Sequence, residues 1–459
     1  MSKNTYGTTE YDCVVVGAGL AGLVTARDLQ RRGHNVLVIE AQERLGGRMV
    51  GKFLPSGQWI DLGGQWVGPT QDRFLRLLDE YNLPRFPSPL LGNSVMLWGD
   101  DRYEFAGTFP EQPTGAPGEI SAEEWHDANQ AWQKFTRLAK TLPDGHPGNE
   151  GDNPRLDSDT FARWIHDNTK TAFGNWYLSY MTRAVGYLGP AEPNQISLLH
   201  ALWGQKSAAQ QEDPEEDLIH GGAGQVPALI AAELTNSVRL GEQVRDITHS
   251  PSGVEVTTTH ATHRAKFVVL AMPPHLAGHI SYHPPLPARR EQLMQRVPMG
   301  TCAKVLVSYD RPFWREKGLS GYGFGNQKWI ELIADSSDPT TGVGVLATFV
   351  VGNRYGRWSE LSDEDRRAAV LGDFANYLGE EALSPVTYDE ADWPRDPWAG
   401  GAFAAFMPPG LWSNFGDVLT APVGRIYWAG TEMADRWAGF FDGAVRTGEE
   451  VARAISARL

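Results

Sequence analysis

Cysteine is scarce in this chain, whose 459 residues include only Cys13 and Cys302. Two isolated cysteines exclude a disulfide framework, a CxxC redox motif and a cysteine zinc cage, so we expect no metal site. A continuous apolar run of roughly 18 residues is also missing, which predicts that no helix spans a membrane. The polar start of the chain lacks the apolar core of a secretory signal. We therefore expect a cytoplasmic protein whose two thiols stay reduced.

Positive charge is also in short supply. Lys and Arg number 41 against 56 Asp and Glu, which gives a formal net charge of −15. This balance argues against nucleic acid or an anionic membrane as a partner and permits a cationic ligand. Glycine is abundant at 50 residues, and such enrichment without low complexity indicates tight turns and close backbone approach to a ligand. A chain of this length is expected to form two or three domains.

A nucleotide-binding pattern occupies the first forty residues. The apolar runs Cys13–Val16 and Val36–Ile39 predict two buried strands, and residues 20–32 between them predict a helix. Glu40 follows the second strand and can bind a ribose hydroxyl, and the helix start favours a pyrophosphate. This complete βαβ context favours a dinucleotide site over glycines that serve packing alone. The glycines with the G-x-G-x-x-G spacing are Gly17, Gly19 and Gly22.

The next segment indicates which dinucleotide is bound. Residues 40–48 read Glu-x-x-x-Arg-x-Gly-Gly-Arg, and this pattern resembles the flavoprotein amine oxidase family. Arg44 and Arg48 offer cationic forks for phosphate. Residues 61–70 resemble the stretch that contacts the flavin in the same family. The resemblance assigns cofactor contacts there to Gly63, Gly64, Gln65 and Trp66.

The middle of the chain predicts a second unit. Residues from about 85 to 210 carry helical spacing, and Ser121 with Glu124 forms a capping box at one helix start. Residues 143–159 hold turn formers and predict a loop. The five carboxylates within residues 212–217 leave two interpretations open. They form a solvated surface loop or a negative rim that attracts an ammonium substrate.

A lysine stands inside an apolar strand at Cys302–Tyr309. A buried ammonium costs several kcal/mol unless it is paired, so the presence of Lys304 among apolar residues requires a structural or functional explanation. Without further information, an edge-strand lysine that extends to water would be favoured. The resemblance reverses this preference, because amine oxidases of the family carry a lysine here that holds a water beside the flavin N5 atom.

The C-terminal part carries further flavin-side motifs. Residues 425–432 read as a strand that ends in a glycine and an acid, and Asp442 is a plausible N-cap of the last helix. Such a helix start favours the charge that develops on a reduced flavin. Val244 resembles the valine beside the adenine, although a plain core valine fits equally well. The resemblance adds four more cofactor contacts: Trp393, Gly430, Thr431 and Glu432.

The sequence departs at three points from the mitochondrial monoamine oxidases, which belong to the same family. Ala402 stands where those enzymes tether FAD through a cysteine, so the resemblance implies non-covalent FAD. Phe403 and Phe440 stand where they place two cage tyrosines, so the cage would be apolar. We also expect no counterpart of their membrane-anchor helix. The resemblance is greatest to the cyclohexylamine oxidase branch of the flavin monoamine oxidases, with putrescine oxidases and mitochondrial monoamine oxidases as relatives.

The resemblance implies an α/β fold with a Rossmann-like FAD-binding domain (residues 1–84, 212–297 and 396–459). An α+β substrate-binding domain would comprise residues 85–211 and 298–395. The implied reaction converts a primary alicyclic, aliphatic or arylalkyl amine to an imine, then to an aldehyde or ketone plus ammonia, while O2 becomes H2O2. A diamine, polyamine or L-amino-acid oxidase is the alternative, and a homodimer is the common expectation. Lys304, Phe403 and Phe440 are the candidate catalytic residues, and rough alignment adds three possible pocket residues: Tyr187, Leu188 and Gln211.

Overall fold

The computed structural model describes residues 10–108, 120–148, 150–183, 190–208, 215–234 and 237–459. Its strands are β1 (Glu10–Val16), β2 (Val36–Ile39), β3 (Gly51–Phe53), β4 (Trp59–Asp61), β5 (Arg85–Pro87), β6 (Asn93–Trp98), β7 (Asp101–Ala106), β8 (Asp217–Ile219), β9 (Val238–Arg239), β10 (Val244–His249), β11 (Val254–Thr258), β12 (Thr262–Ala271), β13 (Ser281–His283), β14 (Cys302–Tyr309), β15 (Leu319–Gly325), β16 (Leu332–Asp335), β17 (Gly344–Val351), β18 (Thr387–Asp392) and β19 (Ile426–Ala429).

The α-helices are distributed unevenly among these strands along the chain. They are α1 (Leu20–Arg31), α2 (Asp72–Glu80), α3 (Ala122–Ala139), α4 (Asn153–Asp157), α5 (Phe161–Asn168), α6 (Ala172–Arg183), α7 (Leu198–Ala208), α8 (Gln225–Glu233), α9 (Pro274–Ala277), α10 (Ala288–Arg296), α11 (Phe313–Glu316), α12 (Gly352–Trp358), α13 (Asp363–Leu378), α14 (Leu411–Phe415) and α15 (Phe441–Ser456). Within the described ranges, none of these helices combines the length and apolarity that a bilayer crossing requires.

The first sheet carries the predicted βαβ unit. Its path is β13-β10-β11-β12-β1-β2-β9, and β19 pairs in parallel with the far half of β12. The strand β1 lies parallel to both β2 and β12 at its centre, and all four residues of β2 are buried. Their continuous apolar sequences follow from this burial on both faces. The predicted Rossmann-like α/β class is therefore confirmed.

The second sheet is mainly antiparallel. Its path is β18-β14-β17-β16-β15-β6-β7, with β15 and β6 as its parallel pair. The strand β14 lies between β18 and β17 and is buried along its whole length. Helices α3 to α7 lie in the chain between β7 and β14 of this sheet, which gives the predicted α+β character. The boundaries proposed between the two units stay a prediction.

Two expectations about local structure were wrong. Residues 85–106 were expected to be largely helical, yet they form β5, β6 and β7, because β6 pairs with the distant strand β15. Residues 143–159 were expected to be a loop, yet they contain α4. Pro154 occupies its first turn, and Asp157 accepts hydrogen bonds from Ser197 and Ser413 of other segments. In both segments, contacts with residues distant in sequence override the local sequence preference.

Asp442 caps a helix other than the one the sequence indicated. The helix α15 begins at Phe441, so Asp442 lies inside its first turn. Its buried carboxylate accepts hydrogen bonds from the backbone N–H groups of Arg73 and Phe74, at 2.6 and 2.9 Å, in the first turn of α2. Arg446 donates to the other oxygen. Asp442 therefore joins two helices that are distant in sequence. Burial disfavours the charged carboxylate and raises the pKa of Asp442.

We expect Asp442→Ala to lower the free energy of unfolding by about 2–4 kcal/mol, because two amide donors and a guanidinium lose a buried acceptor. Asp442→Asn keeps an acceptor oxygen for the α2 amides and should cost less. Urea unfolding of the three proteins measures the difference. A midpoint for Asp442→Ala equal to that of the parent would contradict the capping role.

Candidate active site

A cavity of about 730 Å³ lies between the two sheets. On one side it meets the carboxyl ends of β1, β2 and β12, where open α/β sheets bind ligands. On the other side it meets Lys304 of β14, Leu332 of β16 and Phe349 of β17. The cavity is therefore elongated, with a polar glycine-rich end and an end walled by aromatic side chains.

The glycine turn after β1 leaves room for a ligand at one position. Gly17 has φ +105°, and a Cβ there would lie 2.6 Å from the Ala271 carbonyl oxygen. A Cβ on Gly22 would lie 2.0 Å from the Gly17 oxygen, so both glycines are required by the protein itself. Gly19 lines the cavity with φ −74° and no protein atom within 4 Å of a Cβ. The space beside Gly19 suits a phosphate at the start of α1.

The Glu40 carboxylate is held by two backbone N–H groups at the end of β2. One carboxylate oxygen accepts from the Ala18 N–H at 2.7 Å and the other from the Gln42 N–H at 2.9 Å. The side chain is buried, which raises its pKa, and it still lines the cavity. Its orientation is therefore set by the backbone before any ligand binds.

Arg48 is paired within the protein. Its guanidinium donates to both carboxylate oxygens of Glu432, at 2.6 and 3.1 Å, and to the Phe403 carbonyl oxygen at 2.6 Å. The Arg48 guanidinium, for which the sequence indicated a phosphate contact, thus connects the segment after β2 to the aromatic end of the cavity. Arg44 donates to the Gly47 carbonyl oxygen at 2.8 Å, which stabilises the same glycine segment.

Lys304 projects from an internal strand and is 2% exposed. Its ammonium donates to the carbonyl oxygens of Asp61 and Gly63, at 2.7 and 2.8 Å, and to the side-chain oxygen of Gln65. These three acceptors match its three N–H groups, so an edge-strand lysine that extends to water is excluded. Burial lowers the pKa of Lys304 to about 7, and the Asp61 carboxylate opposes this shift.

The segment that holds Lys304 is itself held on both sides. The Asp61 carboxylate accepts from the N–H groups of Ala223 and Gly224, at 2.9 and 3.1 Å. A Cβ on Gly63 would lie 2.0 Å from the Arg48 carbonyl oxygen, and one on Gly64 would lie 2.7 Å from the Phe441 ring. These contacts explain why two consecutive glycines occur here and fix the oxygens around Lys304.

Aromatic rings form the other wall. Phe349 stands opposite Lys304 in the β14–β17 register, and its ring meets Phe403 edge to face at 5.1 Å. Trp66 lies 6.0 Å from Phe349. Phe440 also lines the cavity, and its carbonyl oxygen accepts from the Thr431 hydroxyl at 2.9 Å. The lysine therefore stands beside a mainly apolar, aromatic wall.

The structure brings most predicted site residues to this one cavity. Gly22 and Glu432 do not line it, since they lie behind Gly17 and Arg48. Tyr187, Leu188 and Gln211 fall outside the described residues. Those that line the cavity are Gly17, Gly19, Glu40, Arg48, Gly63, Gly64, Gln65, Trp66, Val244, Lys304, Trp393, Phe403, Gly430, Thr431 and Phe440. Their individual roles stay predictions.

Sequence reasoning missed Phe349 and His275, which both line the cavity. The apolar strand Gly344–Val351 could be recognised in the sequence, but Phe349 is placed opposite Lys304 only by a pairing between residues 349 − 304 = 45 positions apart. His275 follows the Pro273-Pro274 stop after β12, and burial lowers its pKa to about 4. The sequence signal that could have identified His275 was the position of a titratable residue shortly after a strand of the first sheet.

The comparisons with known proteins define the class. A family model described as flavin containing amine oxidoreductase matches residues 20–456, and the chain belongs to this family. It is thus a flavin-containing amine oxidoreductase, as the sequence predicted, and the family implies a flavin cofactor.

Particular relatives are similar over nearly the whole chain. An L-amino acid dehydrogenase of Synechocystis is 64% identical over 444 residues, which cover 97% of this chain and 94% of that one. Wild-type putrescine oxidase bound to putrescine has a TM-score of 0.92 at 32% identity, covering 98% and 100% of the two chains. Cyclohexylamine oxidase from Brevibacterium oxydans has a TM-score of 0.91 at 30% identity, covering 98% and 99%. The predicted amine-oxidase fold is confirmed.

The burial of Lys304 predicts a pH-dependent stability. The unfolded lysine keeps its proton to about pH 10.4, whereas the folded one loses it near pH 7. Between these values unfolding takes up a proton, so the free energy of unfolding rises with pH, by at most about 1.4 kcal/mol per unit. We expect the parent to gain stability relative to Lys304→Met between pH 7 and 9. Denaturant unfolding at each pH measures this.

The exposed Lys328→Met variant is the matched control for this measurement. A stability difference between the parent and Lys304→Met that stays constant from pH 7 to 9 would contradict the depressed lysine pKa.

Proposed function

We propose that this protein binds FAD non-covalently and uses it to oxidise the carbon–nitrogen bond of a primary amine. The single observation that carries the proposal is the buried Lys304, held by Asp61, Gly63 and Gln65 at the aromatic end of the cavity. A buried lysine with a strongly shifted pKa in a ligand cavity is typical of a functional site.

The residues at the glycine-rich end fit FAD. The open space at Gly19 suits the pyrophosphate, and Glu40 suits a ribose hydroxyl. Val244 lines the same end, in keeping with an adenine contact. When bound, FAD supplies the two-electron redox chemistry that amino-acid side chains lack.

We expect the bound FAD to be released intact when the holoprotein is precipitated with acid, because Ala402 offers no sulfur for a thioether bond. The flavin should then appear in the supernatant, as measured by its absorbance. Flavin that remains with the precipitated chain would contradict non-covalent binding.

The chain's own residues orient the amine and exclude water. Phe349, Phe403 and Phe440 form an apolar wall that favours the neutral amine, whose lone pair must be free for oxidation. Lys304 stands at the same end, where its N–H groups can hold a water next to the cofactor if one protein acceptor is exchanged. The product imine is then hydrolysed by water to an aldehyde or ketone and ammonia, and O2 takes the electrons to give H2O2.

The cavity wall favours an amine without a carboxylate. Among the described residues that line the cavity, Arg48 is the only arginine, and it is paired with Glu432. An alicyclic, aliphatic or arylalkyl monoamine fits this wall best. A second candidate, oxidation of an L-amino acid, is favoured by the 64% identity to the Synechocystis protein named L-amino acid dehydrogenase. A diamine remains a third substrate class for the same test.

The deciding experiment mixes the holoprotein anaerobically with a panel of compounds and follows the bleaching of its flavin absorbance. We expect cyclohexylamine, benzylamine or butylamine to bleach it fastest. Faster bleaching by L-leucine or L-arginine would support the second candidate, and faster bleaching by putrescine would support a diamine. No bleaching by any amine or amino acid would contradict the proposal.

We expect oxygen consumption to accompany turnover. The same turnover is measured with a dye as electron acceptor, so that electron transfer to O2 and to the dye can be compared. Electrons that pass to the dye but not to O2 would contradict the oxidase assignment and would favour a dehydrogenase. A cytoplasmic location, a homodimer and the division of the chain at residues 84, 211, 297 and 395 are further proposals that accompany this function.

A further inference from the structure

A second cavity of about 160 Å³ lies behind the lysine segment, and we call it the rear chamber. Asp61, Leu306 and Val345 form its buried inner walls. Phe53, Gly57 and other exposed residues form its rim, so the chamber runs inward from the surface. A chamber of this size and mixed polarity has room for several water molecules.

Gln65 separates the rear chamber from the main cavity. It lines both, and no other described residue does. Its side-chain oxygen accepts from Lys304 on one side, and its Nε2 donates to the Ser336 hydroxyl at 2.8 Å on the other. Ser336 belongs to the chamber wall. The Gln65 side chain and the Asp61 carbonyl group therefore stand between the Lys304 amine and a compartment that reaches solvent, and of the two Gln65 is the side chain that contacts the amine.

Lys304 has little contact with solvent from the front. It is only 2% exposed, and a cofactor and an amine bound in the main cavity would cover that side further. Its three N–H groups are occupied by protein oxygens. A lysine in this position exchanges its proton or meets a small molecule only if some partner moves aside.

We propose that the rear chamber is a water-filled access site for Lys304, and that Gln65 acts as its gate. When the Gln65 carboxamide turns towards Ser336, a chamber water replaces its oxygen as the acceptor of a Lys304 N–H. That water takes the proton, leaves the neutral amine, and passes the proton to bulk water at the rim. The route operates while the main cavity is filled, and it does not depend on which amine is oxidised.

The electrostatic surroundings fit an exchangeable proton. Burial lowers the Lys304 pKa to about 7, so both charge states are populated near neutral pH. The titratable groups that act on the lysine are Asp61 of β4, Cys302 of its own strand and Glu215 of the acidic segment. At the chamber, Asp338 pairs with His220 at 3.0 Å, which places a carboxylate beside the outgoing proton.

The test measures access to Lys304 directly. The flavin-loaded protein is treated with formaldehyde and cyanoborohydride, which methylate neutral amines, and peptide mass spectrometry gives the rate at Lys304. Ser336→Leu and Leu218→Phe each enlarge a side chain that lines the chamber, and Leu218, unlike Ser336, makes no side-chain hydrogen bond to Gln65. We expect both to slow methylation of Lys304 about tenfold, because filling a chamber of this size displaces its water.

Leu383→Phe is the matched control, since Leu383 is 50% exposed and lies outside both cavities. Methylation of the exposed Lys328 reports that the reagents act equally on every variant. Parent-like methylation of Lys304 in either filled variant would overturn the proposal. The comparison uses flavin-loaded protein, because Lys304 lines the main cavity and the reagents would reach it there in flavin-free protein. A protein that binds no flavin would contradict the proposed function, whereas parent-like methylation in loaded, filled variants would overturn only the access route.

A crystal structure of the parent provides the second measurement. Ordered waters from the rim to the Gln65 side chain support the access route whether or not the filled variants fold. A chamber without ordered water, or one closed by a side chain at its rim, overturns it.

Discussion

A single ammonium group, that of Lys304, organises the aromatic end of the cavity. Three oxygens of the short segment from Asp61 to Gln65 surround it. An unpaired ammonium at this depth would cost several kcal/mol, so the segment, its glycines and the strand that carries the lysine must be placed together. The segment that follows β4 is held against the second sheet at this point, because Lys304 belongs to β14 of that sheet.

Other contacts transmit this constraint to the rest of the site. Asp61 is oriented by the amides of Ala223 and Gly224, which lead into α8. Gly63 packs on the Arg48 carbonyl oxygen, and Arg48 in turn holds Glu432 and the backbone of Phe403. The lysine, the glycine-rich end and the aromatic wall thus form one connected polar network. Its members are paired within the protein, so the cavity is shaped before a ligand enters.

Sequence reasoning worked where one local pattern decided the structure. The strands at Val36–Ile39 and Cys302–Tyr309 have the predicted bounds, because continuous apolar runs reflect burial on both faces. It failed where distant partners decided. Asp442 caps α2 rather than its own helix, and β6 forms because β15 lies beside it. Phe349 was missed for the same reason, since only strand pairing brings it opposite Lys304.

The pairing of β19 with β12 and the contact of α15 with α1 have a consequence for folding of the chain. α1 ends at Arg31, whereas α15 begins at Phe441, so 441 − 31 = 410 sequence positions separate these two helices. The first sheet therefore stays incomplete, with an open strand edge on β12 and an uncovered face on α1, until these distant elements meet. Contacts between elements so far apart in sequence form slowly, because a long loop must close before they stabilise the fold.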